Sequence, residues 1–139
     1  MDSARRRARE VVFRVAYQAD VTSDGYAQVW KLLRGEERLS DDQSQLIDDV
    51  VAALERGGAE IDQTLREAAE HWPLERLAAT DRSVLRAAIA ELTSRPGTPV
   101  RVVLDEAIDI ARRYGSEESG RFVNGVLDRV ARRMRPEEF

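Results

Sequence analysis

The sequence predicts an all-α fold, and two observations favour it. Apolar residues recur every three or four positions along most of the chain, which is the spacing of an amphipathic helix, and no segment alternates clearly between apolar and polar residues. The 8 glycines and 4 prolines lie mostly between these periodic segments, where they would end one helix and begin the next. We therefore predict seven helices and no strand.

The first predicted helix covers about residues 3–19 and carries apolar side chains on two sides. One side consists of alanine and valine at helical spacing, namely Ala4, Ala8, Val11, Val12, Val15, Ala16 and Ala19. Phe13 and Tyr17, four residues apart, mark another side of the same helix. Because a helix that is apolar on two sides is normally held between neighbours, we expect it at the centre of the fold.

Capping and breaking residues set the bounds of the next predicted helices. Ser40 and Gln43 form a capping box, in which the side chain of each residue bonds the backbone of the other, and this box starts the third helix. Gly57-Gly58 is predicted to end that helix in a left-handed cap. A fourth helix follows and is stopped by Pro73, because proline cannot continue a helix.

Three further helices are predicted after Pro73. Thr80 is expected to cap the fifth helix and Ser116 the seventh. Pro73 and the turn after it divide the chain into two bundles, about residues 1–78 and 79–139. We expect a single domain over the whole chain, in which these two small bundles pack around a central first helix.

Composition excludes several kinds of chemistry. The chain has no cysteine, so disulfides and thiolate sites are absent, and a single histidine, His71, rules out a histidine-rich metal site. Asp105, Glu106 and Asp109 are candidate ligands for a hard cation, but pairing with nearby arginine is the simpler role. There is no glycine-rich phosphate loop and no apolar run of membrane-spanning length. We expect a cytoplasmic protein that is not an enzyme and needs no metal or cofactor.

Arginine is concentrated near the ends of a chain whose net charge is −4 and whose middle is acidic. Near the amino terminus, Arg5, Arg6, Arg7 and Arg9 fall within about one and a half helical turns. Each guanidinium group can bind a phosphate in bidentate fashion or stack on a base. This run indicates an RNA-binding surface; the alternative is an exposed helix end that only aids solubility.

A second candidate segment, residues 114–125, lies where the sixth predicted helix meets the seventh. It combines a helix amino terminus, hydroxyl groups, an arginine and two aromatic rings, in Tyr114, Ser116, Ser119, Arg121 and Phe122. Free backbone amides there can take a phosphate or a base acceptor, and the rings can stack on unpaired bases. Gly125 falls inside the helix, which indicates close packing against a neighbour. The alternative is an ordinary corner between two helices.

Five segments of the chain resemble the NusB family in their order and spacing. They are RRRARE (5–10), YQ (17–18), HWPLERL (71–77), TDRSVLR (80–86) and YGSEESGRFVNGVLD (114–128). The resemblance covers about residues 4–132 and implies an all-helical NusB-like fold of two small subdomains. It also implies binding to the boxA element of ribosomal RNA leaders together with NusE, a small-subunit ribosomal protein. That pair is expected in the antitermination complex on RNA polymerase, without chemical turnover.

The resemblance also implies which residues form the sites. The arginine-rich RNA-binding motif corresponds to Arg5, Arg6, Arg7 and Arg9. The second RNA-facing segment corresponds to Gly115, Ser116, Glu118, Ser119, Arg121, Phe122 and Asn124. Tyr17 and Asp81 correspond to positions near the NusE surface. Glu118 stands where aspartate is usual, which would shift a base contact by one methylene, and residues 21–58 carry no family signature.

Two other functions fit the same sequence. A helical protein-interaction module or homodimer would keep the fold while its RNA role is lost or secondary. An RNA methyltransferase related through a NusB-like amino-terminal domain is the third possibility. It is disfavoured because the chain lacks the parallel-strand pattern and the glycine-rich turn of a cofactor-binding domain.

Overall fold

The computed structural model describes residues 3–139 and contains six α-helices within that range. They are α1 (Ser3–Thr22), α2 (Tyr26–Leu33), α3 (Asp41–Ala68), α4 (Ala79–Ser94), α5 (Val100–Tyr114) and α6 (Glu117–Met134), with short 3-10 turns at Leu74–Arg76 and Pro136–Glu138. No strand occurs within residues 3–139. The predicted all-α class is therefore confirmed.

The long helix α3 joins the third and fourth predicted helices into one. At Gly57 the backbone leaves helical geometry (φ −110°, ψ 20°), and the helix resumes after this kink. Since φ is negative, the predicted left-handed cap at Gly57-Gly58 is wrong, and the helix count is six where seven were predicted. Buried apolar residues on both sides of the kink hold the two halves against one core, among them Val50, Leu54, Ile61 and Leu65.

Helices α3 and α4 are capped differently at their amino termini. Ser40 Oγ accepts a hydrogen bond from the Gln43 amide (3.2 Å), and the Ser40 amide donates to Gln43 Oε1 (2.8 Å), which confirms the capping box. Helix α4 begins after Ala78, whose side chain makes no capping hydrogen bond. Thr80 already lies within the first turn of α4, so the predicted cap at Thr80 is wrong.

Helix α1 lies at the centre of the fold, as predicted. It packs against α2, α3, α4 and α5. Val11, Val12 and Val15 are buried on one side of α1, and Phe13 is buried on the other. The buried apolar residues of all six helices form one cluster, so that a single core spans both predicted bundles. The division near residue 78 stays a prediction.

A part-buried cluster of ion pairs fastens α1 to α3 and α4. The Asp20 carboxylate accepts hydrogen bonds from Arg82 (2.7 Å) and Arg86 (2.9 Å), and Arg86 also bonds Asp62 on α3 (2.8 Å). Arg82 donates in addition to the carbonyl oxygen of Leu77 (2.9 Å). The hydrogen bond from Arg82 is the main reason why the pKa of Asp20 lies below its usual value.

Asp20→Asn is therefore expected to destabilise the protein in a pH-dependent way. A carboxyl whose pKa is lower in the folded state contributes stability above its unfolded pKa of about 4, and loses it as the pH falls through the folded value. We expect the free energy of unfolding to drop by about 2 kcal/mol at neutral pH. The difference from wild type should shrink below about pH 4. Urea unfolding across the acid range measures it, and a pH-independent difference would contradict the pairing.

Candidate nucleic-acid interface

The four arginines of the amino-terminal run do not share one environment. Arg9 is buried, with 6% of its side chain exposed, and donates to both carboxylate oxygens of Glu91 (2.8 and 2.9 Å) and to Glu106 (3.1 Å). Burial by itself lowers the pKa of Arg9, but the hydrogen bonds and charges of the two glutamates outweigh it and raise that pKa overall. The predicted phosphate contact by Arg9 does not fit this buried position. Arg9 instead ties α1 to α4 and α5.

Arg6 belongs partly to the same buried cluster. Its Nε donates to Oε2 of Glu106 (2.9 Å), whose Oε1 accepts from Arg9, and its Nη2 donates to Asp109 (2.5 Å). With 31% of its side chain exposed, Arg6 reaches the surface at one edge of the cluster. A phosphate at this edge would share Arg6 with Asp109 or replace that carboxylate, which is itself exposed.

Arg5 and Arg7 are the outward-facing members of the run. Both residues are exposed. Arg7 donates through Nη2 to Oε2 of Glu37 (2.7 Å), which lies in the link between α2 and α3. Because this ion pair is at the surface, water and salt weaken it, and a phosphate can compete for the guanidinium group. The start of α1 thus presents two arginines to solvent.

Contacts from α1 to the end of α5 bring the two predicted segments together. Glu10 accepts a hydrogen bond from Arg113 (2.5 Å) and another from the Tyr114 hydroxyl (3.3 Å). The Tyr114 ring also lies against Phe13, with ring centroids 4.9 Å apart. Since Tyr114 opens the segment 114–125, the arginine-rich start of α1 and the α5–α6 junction are neighbours.

The α5–α6 junction is a tight turn that depends on Gly115 and Ser116. A Cβ atom at Gly115 would lie 2.6 Å from Ser119 Oγ and 2.8 Å from the Ala111 carbonyl oxygen, so only glycine fits this close approach. Ser116 caps α6, as predicted, because its Oγ accepts a hydrogen bond from the Ser119 amide (3.1 Å). The junction therefore presents the amino terminus of α6 in a fixed geometry.

A surface groove of about 310 Å³ runs beside the start of α6. It is lined by four residues of the predicted RNA segment, by Asp81 and by four residues before α4, namely Ser116, Glu118, Ser119, Phe122, Asp81, Trp72, Arg76, Leu77 and Ala78. The Trp72 ring, 59% exposed, meets Phe122 edge to face with centroids 6.3 Å apart. Trp72 and Arg76 were not predicted as site residues. The only indication in the sequence was that an aromatic and a basic residue occur within the segment 71–77, which resembles the NusB family.

Arg121 and Asn124 lie outside this groove. Both residues are exposed on α6. Arg121 lines a neighbouring depression together with His71 and Arg129. The predicted RNA residues of α6 therefore divide between adjoining surfaces, and Phe122 borders both the groove and the depression.

Tyr17 and Asp81, the two predicted partner residues, flank the α5–α6 junction. Tyr17 is 40% exposed and lines a larger groove, of about 700 Å³, with Thr80 and Tyr114. Asp81 follows Thr80 in the chain and lines the smaller groove beside Ser116. Its Oδ1 atom is buried without a hydrogen-bond partner among the residues that the structure describes. The predicted partner residues thus border the predicted RNA segment.

Gly125 and Gly120 have different surroundings on α6. A Cβ atom at Gly125 would meet no atom within 4 Å, so the predicted close packing there is wrong. A Cβ atom at Gly120, in contrast, would lie 2.7 Å from Arg112 Cγ.

We expect Gly125→Ala to raise the free energy of unfolding by about 0.5–1 kcal/mol, because alanine favours the helix. Gly120→Ala should lower it, because the Arg112 side chain has to move. Urea unfolding compares the two variants, and equal shifts would contradict this difference in packing.

The described part of the chain offers binding groups on its surface. Within residues 3–139 no group of three or more His, Asp or Glu side chains is placed to hold a metal ion. No helix in the same range is long and apolar enough to cross a membrane. Exposed guanidinium groups, which bind phosphate, lie near a capped helix terminus and near aromatic rings, which stack on unpaired bases. The fold and the site define an all-helical domain with a surface of the nucleic-acid-binding class.

The chain belongs to the NusB family, whose model matches residues 3–132. The transcription antitermination protein NusB of Koribacter versatilis is 40% identical over 131 residues, which cover 94% of this chain and 90% of the relative. The protein of the same name from Anaeromyxobacter dehalogenans is 39% identical over 140 residues, with coverage of 98% and 96%. The resemblance to the NusB family is therefore confirmed.

Solved structures of related proteins share the fold. T. maritima NusB superimposes with a TM-score of 0.87 and 35% identity, and the match covers 99% of this chain and 97% of that one. A crystal structure of the antitermination factors NusB and NusE in complex with double-stranded RNA contains a chain that matches with a TM-score of 0.73 and 27% identity. That match covers 96% of this chain and 99% of the other.

Proposed function

We propose that this chain is an RNA-binding transcription antitermination factor. It binds boxA-type RNA of ribosomal RNA leaders together with NusE, and joins the antitermination complex on RNA polymerase. The observation that carries the proposal is that the arginine-rich start of α1 adjoins the α5–α6 junction, through Glu10, Arg113 and Tyr114. Membership of the NusB family and the solved complex of related proteins with NusE and RNA support it.

Phosphate contacts and base contacts fall to different residues in the proposed complex. Arg5 and Arg7, exposed at the start of α1, bind phosphates of the RNA backbone. An unpaired base stacks on the rings of Phe122 and Trp72 in the groove beside α6. The Glu118 carboxylate would repel a phosphate but accepts hydrogen bonds from a base amino group. Phosphate contacts then hold the strand, while base contacts provide sequence preference.

The other predicted RNA residues shape or extend this surface. Gly115 and Ser116 fix the turn at which α6 begins, and the Ser119 hydroxyl lies next to that of Ser116 (3.3 Å). Arg121 and Asn124 extend the exposed face of α6 beyond the groove. Arg6 contributes at the edge of its buried cluster.

NusE binds beside the RNA in this proposal, at the larger groove that contains Tyr17 and at the Asp81 edge of the smaller groove, whose Phe122 and Trp72 rings receive the base. Both grooves border the α5–α6 junction, one through Tyr114 and the other through Ser116, so that the partner and the RNA would meet there. A donor group of the partner would satisfy the Oδ1 atom of Asp81. The chain works by binding rather than by chemical turnover, and it acts in the bacterial cytoplasm, where nascent RNA is made.

Equilibrium binding of labelled boxA-type RNA, with a scrambled RNA as control, tests the proposal in the presence and absence of NusE. We expect weak binding by the chain alone, a preference for boxA-type RNA, and higher affinity when NusE is added. Absence of any preference in either condition would contradict the proposal. Sedimentation would then show whether the chain is instead a homodimer or interaction module that RNA does not affect.

A further inference from the structure

Glu37 bridges two arginines that lie two turns apart on α1. Its Oε2 accepts a hydrogen bond from Nη2 of Arg7 (2.7 Å), and its Oε1 accepts a short one from Nη1 of Arg14. The Glu37 side chain is 12% exposed, whereas those of Arg7 and Arg14 are 52% and 46% exposed. One carboxylate thus sits between two guanidinium groups that are open to solvent on their other sides.

A carboxylate in this position has the features of a bound phosphate. It presents two negatively charged oxygens, each to a different guanidinium group, and a phosphate diester presents two such oxygens as well. Guanidinium groups can form bidentate hydrogen bonds with both anions. The Glu37 side chain is mostly covered, but both guanidinium groups are about half exposed, so an incoming phosphate can approach them from solvent and displace the carboxylate. Glu37 lies in the link between α2 and α3, outside any helix, so its side chain can move away without breaking a helix.

We propose that Arg7 and Arg14 form a phosphate-binding site for RNA that Glu37 occupies in the free protein. The proposal rests on the proposed RNA-binding function and adds Arg14 as a contact and Glu37 as an internal competitor. Seven residues correspond to about 10 Å of helix, so Arg14 extends the arginine-rich surface along α1 by that length. Arg14 also lines the groove of Tyr17, which makes the RNA surface continuous with that groove.

The first test compares Glu37→Gln with Glu36→Gln. Both variants lose one negative charge in the same link, but only Glu37 bridges the two arginines, whereas Glu36 is exposed. We expect Glu37→Gln to raise the affinity for labelled boxA-type RNA about fivefold at low salt, and Glu36→Gln to change it by less than about twofold. The gain should be equal for scrambled RNA, because phosphate contacts carry no sequence information. It should shrink as salt screens the competing carboxylate.

The second test combines Glu37→Gln with Arg14→Ala. We expect Arg14→Ala alone to lower RNA affinity about threefold, and the gain from Glu37→Gln to be smaller in the presence of Arg14→Ala. Thermal unfolding of each variant checks that the fold is kept. Equal RNA affinities of Glu37→Gln and Glu36→Gln, or no effect of Arg14→Ala, would overturn this site but leave the proposed function. No RNA binding by the wild type or any variant would overturn both.

Discussion

Arg9→Ala is expected to lower the free energy of unfolding by about 3–5 kcal/mol, because two buried carboxylates would lose the cation that they share. Glu91 and Glu106 have 5% and 1% of their side chains exposed, and Arg9 bonds both. Arg6 would still pair with Glu106, but Glu91 has no other cation among its hydrogen-bond donors in the described structure. Urea unfolding followed by circular dichroism measures the effect.

Arg7→Ala provides the control for Arg9→Ala. It removes the same charge two residues away, from a side chain that is 52% exposed, and should change stability by no more than about 0.5–1 kcal/mol. If the two variants were equally stable, the buried role of Arg9 would be contradicted. Arg9→Lys adds a second comparison, because lysine keeps the charge but cannot bond both oxygens of Glu91 in bidentate fashion.

The double variant Arg5→Ala/Arg7→Ala is expected to reduce RNA affinity at least about tenfold while the protein stays folded. If each arginine neutralises one phosphate, the slope of log affinity against log salt should become shallower by about 1.4. Filter binding or fluorescence anisotropy at several salt concentrations gives both quantities. Because both residues are exposed, little stability should be lost.

Arg56→Ala/Arg132→Ala is the matched control for that double variant. Both arginines are exposed, Arg56 on α3 and Arg132 near the end of α6, about 22 Å along α6 from its start. The start of α3 lies beside the start of α1, because Gln43 bonds the backbone of Ala4 (2.9 Å). Arg56 lies about 20 Å from Gln43 along α3, and therefore far from the arginines at the start of α1. The control should keep most of the RNA affinity. An equal loss in both double variants would indicate a general charge effect instead of a site at α1.

The helices were largely predictable because their signals are local. Apolar spacing gave the periodic segments, and the side chains of Ser40 and Ser116 cap helices that begin beside them. The continuity of α3 was not predictable in the same way. Glycines often end helices, but at Gly57 the apolar residues on both sides, such as Leu54 and Ile61, keep both halves on one core.

The candidate site was predictable in its segments but not in its pairings. Arg9 lies three and four residues before Val12 and Phe13, which are buried, so its inward direction had a local signal. Its partners Glu91 and Glu106 are 82 and 97 residues away in the chain, and helical periodicity holds no information on such pairs.

Gly120 shows the same difficulty at closer range. The Arg112 side chain that a Cβ atom at Gly120 would meet lies on the preceding helix, whereas a Cβ atom at Gly125, on the same helix as Gly120, would meet no atom within 4 Å. Periodicity treats both positions alike. Close packing between helices depends on how α5 and α6 cross, which becomes visible only in the folded structure.

Amide NMR spectra recorded during titration with boxA-type RNA test most directly where RNA binds. We expect the largest shift changes at the start of α1 and in residues 114–124, with little change around Gly57. Changes centred on the kink of α3, or none at concentrations where the RNA is bound, would contradict the assignment of the RNA surface to α1 and the α5–α6 junction.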